Sequence, residues 1–340
     1  MLAACYGAWI GDWATRTLAA HWIGLDEPHA PRIVIGGVLC SPIDTLRRFL
    51  AGADAVHALA WMAARMTEWE KAASEPLNDL QQNESAWDQL ADDDRFAGDI
   101  DLPADAESAI AALDPWLQAD WKPGCRLLCL AAGGGRQGPL HAIAGAEVTV
   151  VDLSQRQLEH DRRVAARMGI SLSLIHGSAD RLTGIQAGAF DVVVQPVSGC
   201  YVADLRAMYA EVARVLRPGG IYLVQHKQPL SLRLKPSADG GYQLAEPVVQ
   251  HRPLPMLASA DLPEHPDREP GTLEFAHSLQ SLIGELCSAG FVIEQFAEPP
   301  RADAFALPGS AEHKACFAPP YLRLKAIRKR DKLHQAAGLG

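Results

Sequence analysis

Leu127-Leu128-Cys129-Leu130-Ala131-Ala132-Gly133-Gly134-Gly135-Arg136-Gln137-Gly138 is the stretch that decides the fold. An apolar run of strand length empties into a glycine-rich turn, and the turn opens a helix. Glycine has no Cβ, so a turn of this kind lets the backbone approach a ligand closely. The helix beyond it presents N–H groups that have no partner within the helix. Formally, Gly133-x-Gly135-x-x-Gly138 is the dinucleotide fingerprint. Alone, the same spacing also describes a plain turn between a strand and a helix, so its meaning depends on what surrounds it.

Downstream, a second strand over residues 147–152 ends in Val150-Val151-Asp152. A carboxylate at the end of this strand suits the two hydroxyls of a ribose. A helix follows over residues 154–168 with Ser154 as its N-cap. A third strand covers 172–176 and a fourth 190–195. A helix over 204–216 is stopped by Pro218-Gly219-Gly220, and a fifth strand covers 221–226. Strands that alternate with helices imply a parallel sheet covered on both faces, an α/β fold. Residues 229–271 are Pro-rich with little periodicity and read as a lid-like insertion. A helix over 273–289, a sixth strand over 291–296 and a last strand over 321–329 complete the pattern.

Two further segments, Phe190-Asp191-Val192-Val193-Val194 and Val215-Leu216-Arg217-Pro218-Gly219-Gly220-Ile221-Tyr222-Leu223, carry a family resemblance. With the glycine turn and Asp152, in this order, the chain resembles class I S-adenosylmethionine (SAM)-dependent methyltransferases over roughly residues 83–328. The LCLAAGGG, QPVSGCYVAD, QHKQP and PPYLR segments are similar to a poorly characterised bacterial subgroup of that family. The resemblance implies a Rossmann-like, doubly wound, mostly parallel seven-stranded sheet with a reversed C-terminal strand. It also implies SAM as cofactor, held by Ala131, Gly133, Gly135, Asp152, Leu153, Ser178, Ala179, Asp180 and Gln195. Two positions depart from the family pattern: Cys129 stands where the first strand usually carries an acid, and Ala131 where the first glycine usually stands. Trp87 falls where the family often has an N-terminal helix that closes over SAM.

Acceptor residues are expected at the carboxyl ends of the fourth and fifth strands. His226 is the candidate general base, since its ordinary pKa lies near neutrality. Tyr201 is the second catalytic candidate, and Cys200, Lys227 and His313 are candidates for binding the substrate. The fourth strand ends in Gln195-Pro196-Val197-Ser198 rather than an Asn/Asp-Pro-Pro-aromatic motif, and carboxylates do not cluster there. A small-molecule acceptor and no metal follow. An NAD(P)-dependent oxidoreductase stays open on the glycine spacing. A non-catalytic SAM-binding protein stays open on Cys129 and Ala131.

The rest of the chain limits the partners. Its 340 residues carry a formal net charge of -10, which disfavours nucleic acid and anionic membranes. The seven cysteines are scattered, without zinc spacing or a disulfide framework, as in a cytoplasmic enzyme. The apolar N-terminus lacks a basic n-region. Residues 1–80 read as a mainly helical N-terminal extension. It comprises an amphipathic helix over 2–23, a short strand or apolar turn over 32–40 and a helix from 43 towards 71. Such an extension suits a homodimer contact or a cap on the acceptor pocket. Residues 83–330 form the expected methyltransferase domain.

Overall fold

The computed structural model describes residues 33–35, 38–40, 79–93, 96, 101–245, 252–258 and 265–330. The chain divides into two compact units, residues 1–77 and 78–340. In the first, Ile33–Ile35 pairs antiparallel with Val38–Cys40. The short strand or apolar turn expected over 32–40 is therefore two short antiparallel strands. The helices expected over 2–23 and 43–71 lie outside the described residues.

The second unit is built on one seven-stranded sheet. Its strands are β1 (Arg126–Leu130), β2 (Glu147–Asp152), β3 (Ser173–His176), β4 (Phe190–Gln195), β5 (Leu216–Lys227), β6 (Phe291–Ala297) and β7 (Tyr321–Arg328). The order is β6-β7-β5-β4-β1-β2-β3. β1 runs parallel to β2 and β4, β2 to β3, and β4 to β5. β7 is antiparallel to both neighbours, so it is the reversed strand. The winding reverses between β1 and β4, and a crevice opens there at the carboxyl ends of the strands.

Helices α1 (Asp79–Leu90), α2 (Ala106–Ala112), α3 (Pro115–Gln118), α4 (Gln137–Ile143), α5 (Gln155–Met168) and α6 (Leu205–Val215) surround this frame. α5 begins where Ser154 accepts from the Gln157 amide and ends at Gly169, whose φ of 66° is left-handed. Asp204 caps α6 in the same way, accepting from the Ala207 amide.

Strand residues alternate between faces. Leu128, Leu130, Val193, Tyr222 and Val224 meet Met208, Tyr209 and Val212 of α6. Leu127, Cys129, Val150, Val192 and Leu223 meet Leu117 of α3 and Leu158 of α5. Tyr209 and Tyr222 are fully buried, and a buried side chain of that size stabilises the fold by ~1.5–3 kcal/mol.

Three expected elements differ. β5 starts at Leu216 rather than 221: Phe190 pairs with Leu216 and Val192 with Ile221, so Arg217–Gly220 form a bulge. Gly219 makes it feasible with a φ of +77°. Residues 273–278 are not helical. Their backbone is used elsewhere, with the Phe275 amide on the Cys200 carbonyl and the Leu254 amide on the Glu274 carbonyl. The helix starts only after Ser278, whose hydroxyl accepts from the Ser281 amide, and its first turns are π-helical (Gln280–Gly284). The insertion also has structure, a short helix (Pro229–Leu232) and a hairpin of Leu234–Pro236 with Tyr242–Leu244.

Candidate active site

A cleft of about 950 Å³ opens at the switch point. One half of it is the glycine turn. Ala131 closes β1 with a φ of 46°, the one non-glycine residue with positive φ among the described residues. Gly133 is required by contact: a Cβ there would lie 2.7 Å from the Gln157 Cβ and 3.1 Å from the Asp152 carboxylate. Its amide instead donates to Asp152 Oδ2 at 2.8 Å, while the Ser154 amide donates to Oδ1 at 2.8 Å. Burial pushes the Asp152 carboxyl up, and these two amides pull it back.

Leu153, Ser178, Ala179 and Asp180 complete this half, with the Ser178 hydroxyl on Asp180 Oδ1 at 2.5 Å. Of the glycines, Gly133 and Gly134 line the cleft and Gly135 does not. Gly135 backs onto α5, where a Cβ would meet Val164 at 2.9 Å. Gln157 also lines this half. Its side chain is buried, and neither its Nε2 nor its Oε1 has a hydrogen-bond partner.

The other half is assembled from distant segments. Tyr201 and Lys227 line it, joined by Glu269, Arg301, Tyr321 and Arg323. The Tyr201 hydroxyl and the Lys227 ammonium both donate to Glu269 Oε2. Lys227 Nζ also donates to Glu274 Oε1 at 2.6 Å, and Arg268 donates to the other oxygen of Glu274. Burial pushes the Lys227 pKa down, but the two carboxylates outweigh it and the net shift is upward, so the ammonium stays charged. The Tyr201 phenol is pushed well up, by burial first and then by Glu269.

Asn83 of α1 fastens this half to the rest. Its amide donates to the carbonyls of Tyr201 (3.0 Å) and Leu273 (3.1 Å) and accepts from the Leu273 amide (2.7 Å). Trp87, one turn on, sets its ring edge-to-face against Tyr201 at 5.2 Å and Phe96 at 5.1 Å. Asp88 reaches Ser154 Oγ at 2.6 Å and so ties α1 to the start of α5.

Three further expected site residues sit elsewhere, and a fourth, Gln195, turns its side chain away. His226 shares its strand face with Tyr222 and Val224, so it points into the α6 core, where Nε2 meets the Tyr209 hydroxyl at 3.0 Å. Burial pushes its pKa down to about 3, and it does not line the cleft. Gln195 lies at the cleft, but its side chain turns to the same core, donating to Ser198 Oγ at 2.8 Å and accepting from Tyr222. Cys200 packs against Leu232 and Leu254, and burial raises its thiol to about 12. His313 packs its ring, tilted or edge-on, against Tyr242 and Phe317 and does not line the cleft. No local pattern marked Asn83, Gln157, Glu269, Glu274 and Tyr321, which sequence reasoning missed.

Residues 128–224 match the methyltransferase domain family. The chain is 37% identical over 186 residues to an uncharacterized methyltransferase of Bacillus subtilis, YbaJ, a match covering 53% of this chain and 71% of that protein. The chain belongs to the class I SAM-dependent methyltransferases. A ubiquinone biosynthesis O-methyltransferase of a Caulobacter species is 34% identical over 101 residues, 30% of this methyltransferase and 40% of the relative. A crystal structure of a SAM-dependent methyltransferase from Mesorhizobium loti aligns at a TM-score of 0.49 with 21% identity, covering 63% of this chain and 96% of that one.

Membership decides for SAM over NAD(P) and for an enzyme over a scaffold. The residues present fit the cofactor. Gly133 and Gly134 bring bare backbone to the cleft wall, and the orphaned amide of Gln157 offers a donor and an acceptor inside the cleft. No described helix is long and apolar enough to cross a membrane.

Proposed function

We propose that this enzyme methylates a small molecule at nitrogen, oxygen or sulfur by in-line displacement, and that the acceptor lies at the Tyr201–Lys227–Glu269 end of the cleft. The observation that carries the reading is the mutual bonding of these three side chains in the wall of the cleft that holds the glycine turn. A volume of about 950 Å³ lies at the upper end of small-ligand sites. Ala131, Gly133, Gly134, Asp152, Leu153, Gln157, Ser178, Ala179 and Asp180 hold the cofactor in this reading. When bound, SAM supplies an activated methyl group on a sulfonium that leaves as a neutral thioether.

The protein's task is then to align the acceptor and exclude water. Tyr201 orients it: the hydroxyl donates to Glu269 and keeps lone pairs for a donor on the acceptor. Glu269 takes the proton of an acceptor that carries one, and Lys227 holds that carboxylate in place. His226, Cys200 and His313 keep the structural positions described above. Of the insertion, Glu269 reaches the acceptor end, held there by Tyr201 and Lys227.

The test is incubation with methyl-labelled SAM and separate pools of phenols, amines and thiols, with nucleic acid and protein pools alongside. Label should enter one small-molecule pool, and Tyr201→Phe should lower kcat by roughly 10- to 100-fold, below the ~100- to 10,000-fold of a proton-transferring group because Tyr201 only orients the acceptor. Label in nucleic acid or protein alone would overturn the reading.

A further inference from the structure

Asp161 is a buried carboxylate with no assigned task. It sits on α5 one turn beyond Gln157, is completely inaccessible, and neither oxygen has a hydrogen-bond partner. The glycine turn lies over it. The amides of Gly135 and Gly134 face it, and a Cβ on Gly138 would stand 3.1 Å from its Oδ1. Asp152 flanks the same turn, so two carboxylates, one half-buried at the cleft and one fully buried behind it, back the cofactor half. Among the described residues neither forms an ion pair with lysine or arginine.

A carboxylate buried without a counter-charge costs free energy that a nearby cation offsets. The methyl donor is a sulfonium that also carries an ammonium and a carboxylate, whereas its product S-adenosylhomocysteine has lost the sulfonium charge. We propose that Asp161 is a positioning and specificity residue. Its ionised carboxylate, supplying beneath the turn the negative charge that β1 lacks at Cys129, makes the site bind the cationic donor more tightly than the neutral thioether product. The inference rests on the cofactor reading above, and its consequence is easier product release.

The groups acting on Asp161 come from every side. Burial raises its pKa, Asp152 on β2 raises it further, the Gly135 and Gly134 amides lower it, and the balance lies at about 7. Cys129 on β1 lies near enough for Asp161 to raise the thiol in turn. A cation favours the ionised form, so donor binding lowers the Asp161 pKa and expels a proton below neutrality. Affinity for SAM therefore rises with pH and levels off above about pH 7.

The experiment is calorimetric titration of the full chain with SAM and with S-adenosylhomocysteine at about pH 5.5 to 7.5, in two buffers of different ionisation enthalpy. SAM should bind roughly three- to tenfold tighter than the product near neutrality, which is about 0.7 to 1.4 kcal/mol. A fractional proton should be released with SAM below neutrality and less with the product. Asp161→Asn should erase both the preference and the release while leaving product affinity nearly unchanged. The wild-type proton count decides the matter even if that variant fails to fold. Equal affinities with no proton release would overturn the inference, whereas absence of any SAM binding would instead overturn the cofactor reading.

Discussion

The two halves of the cleft are built in opposite ways. The cofactor half comes almost entirely from residues 131–180, where each strand end and turn follows the last. The half proposed for the acceptor draws Asn83, Tyr201, Lys227, Glu269 and Tyr321 together from distant parts of the chain. The cofactor half is held by amide-to-carboxylate bonds within one βαβ unit. The acceptor half is held by buried ion pairs to an insertion. Local construction fixes a cofactor site that a family can keep, while long-range construction lets the acceptor pocket be replaced without touching it.

Breaking the ion pairs should have the largest effect on stability. Lys227→Met leaves Glu269 without its cation and Glu274 with Arg268 alone, and a loss of about 3–5 kcal/mol is expected in denaturant unfolding. Asn83→Ala removes three hydrogen bonds, two between α1 and Leu273 and one to the Tyr201 carbonyl, and should cost ~2 kcal/mol. Hydrogen exchange should show the change at residues 271–275 and leave the glycine turn protected. If exchange rises equally in both halves, they are not separately built.

Alternation explains why the halves were unequally legible. The glycine turn, Asp152, the 178–180 segment and the reversed strand follow from contiguous motifs. The His226 error was avoidable, since Val224 and Tyr222, two and four residues earlier, pack in the core and share its face. Glu269 carried no such signal, because only the folded insertion brings it to Tyr201, 68 residues away. The helix expected from 273 failed because the backbone of that segment bonds to Asn83 and Cys200 instead.

His226 sharpens the comparison through pH. A folded pKa near 3, against an ordinary value of about 6.5 in the unfolded chain, means that only the unfolded state binds its proton in between. Its contribution to stability is intact above pH ~6.5 and declines as pH falls, by up to ~1.4 kcal/mol per unit. His226→Gln should flatten that slope. An unchanged slope would place the imidazole in solvent and restore it as an acceptor-side base.

The smallest effect belongs to Ala131. A left-handed alanine is strained by ~1–2 kcal/mol, partly offset in glycine by greater unfolded-state entropy. Ala131→Gly should stabilise the protein by up to ~1 kcal/mol, with SAM affinity unchanged or improved. Destabilisation would show that the methyl group packs rather than strains.

The central claim, that the glycine turn and Asp152 form the cofactor half, is tested most directly by calorimetric titration of SAM against the wild-type chain and Asp152→Ala. The account predicts micromolar binding by the wild type and a loss of roughly tenfold or more in the variant, as charged hydrogen bonds to the turn disappear. Equal affinity in the two proteins, or no binding by the wild type, would contradict it.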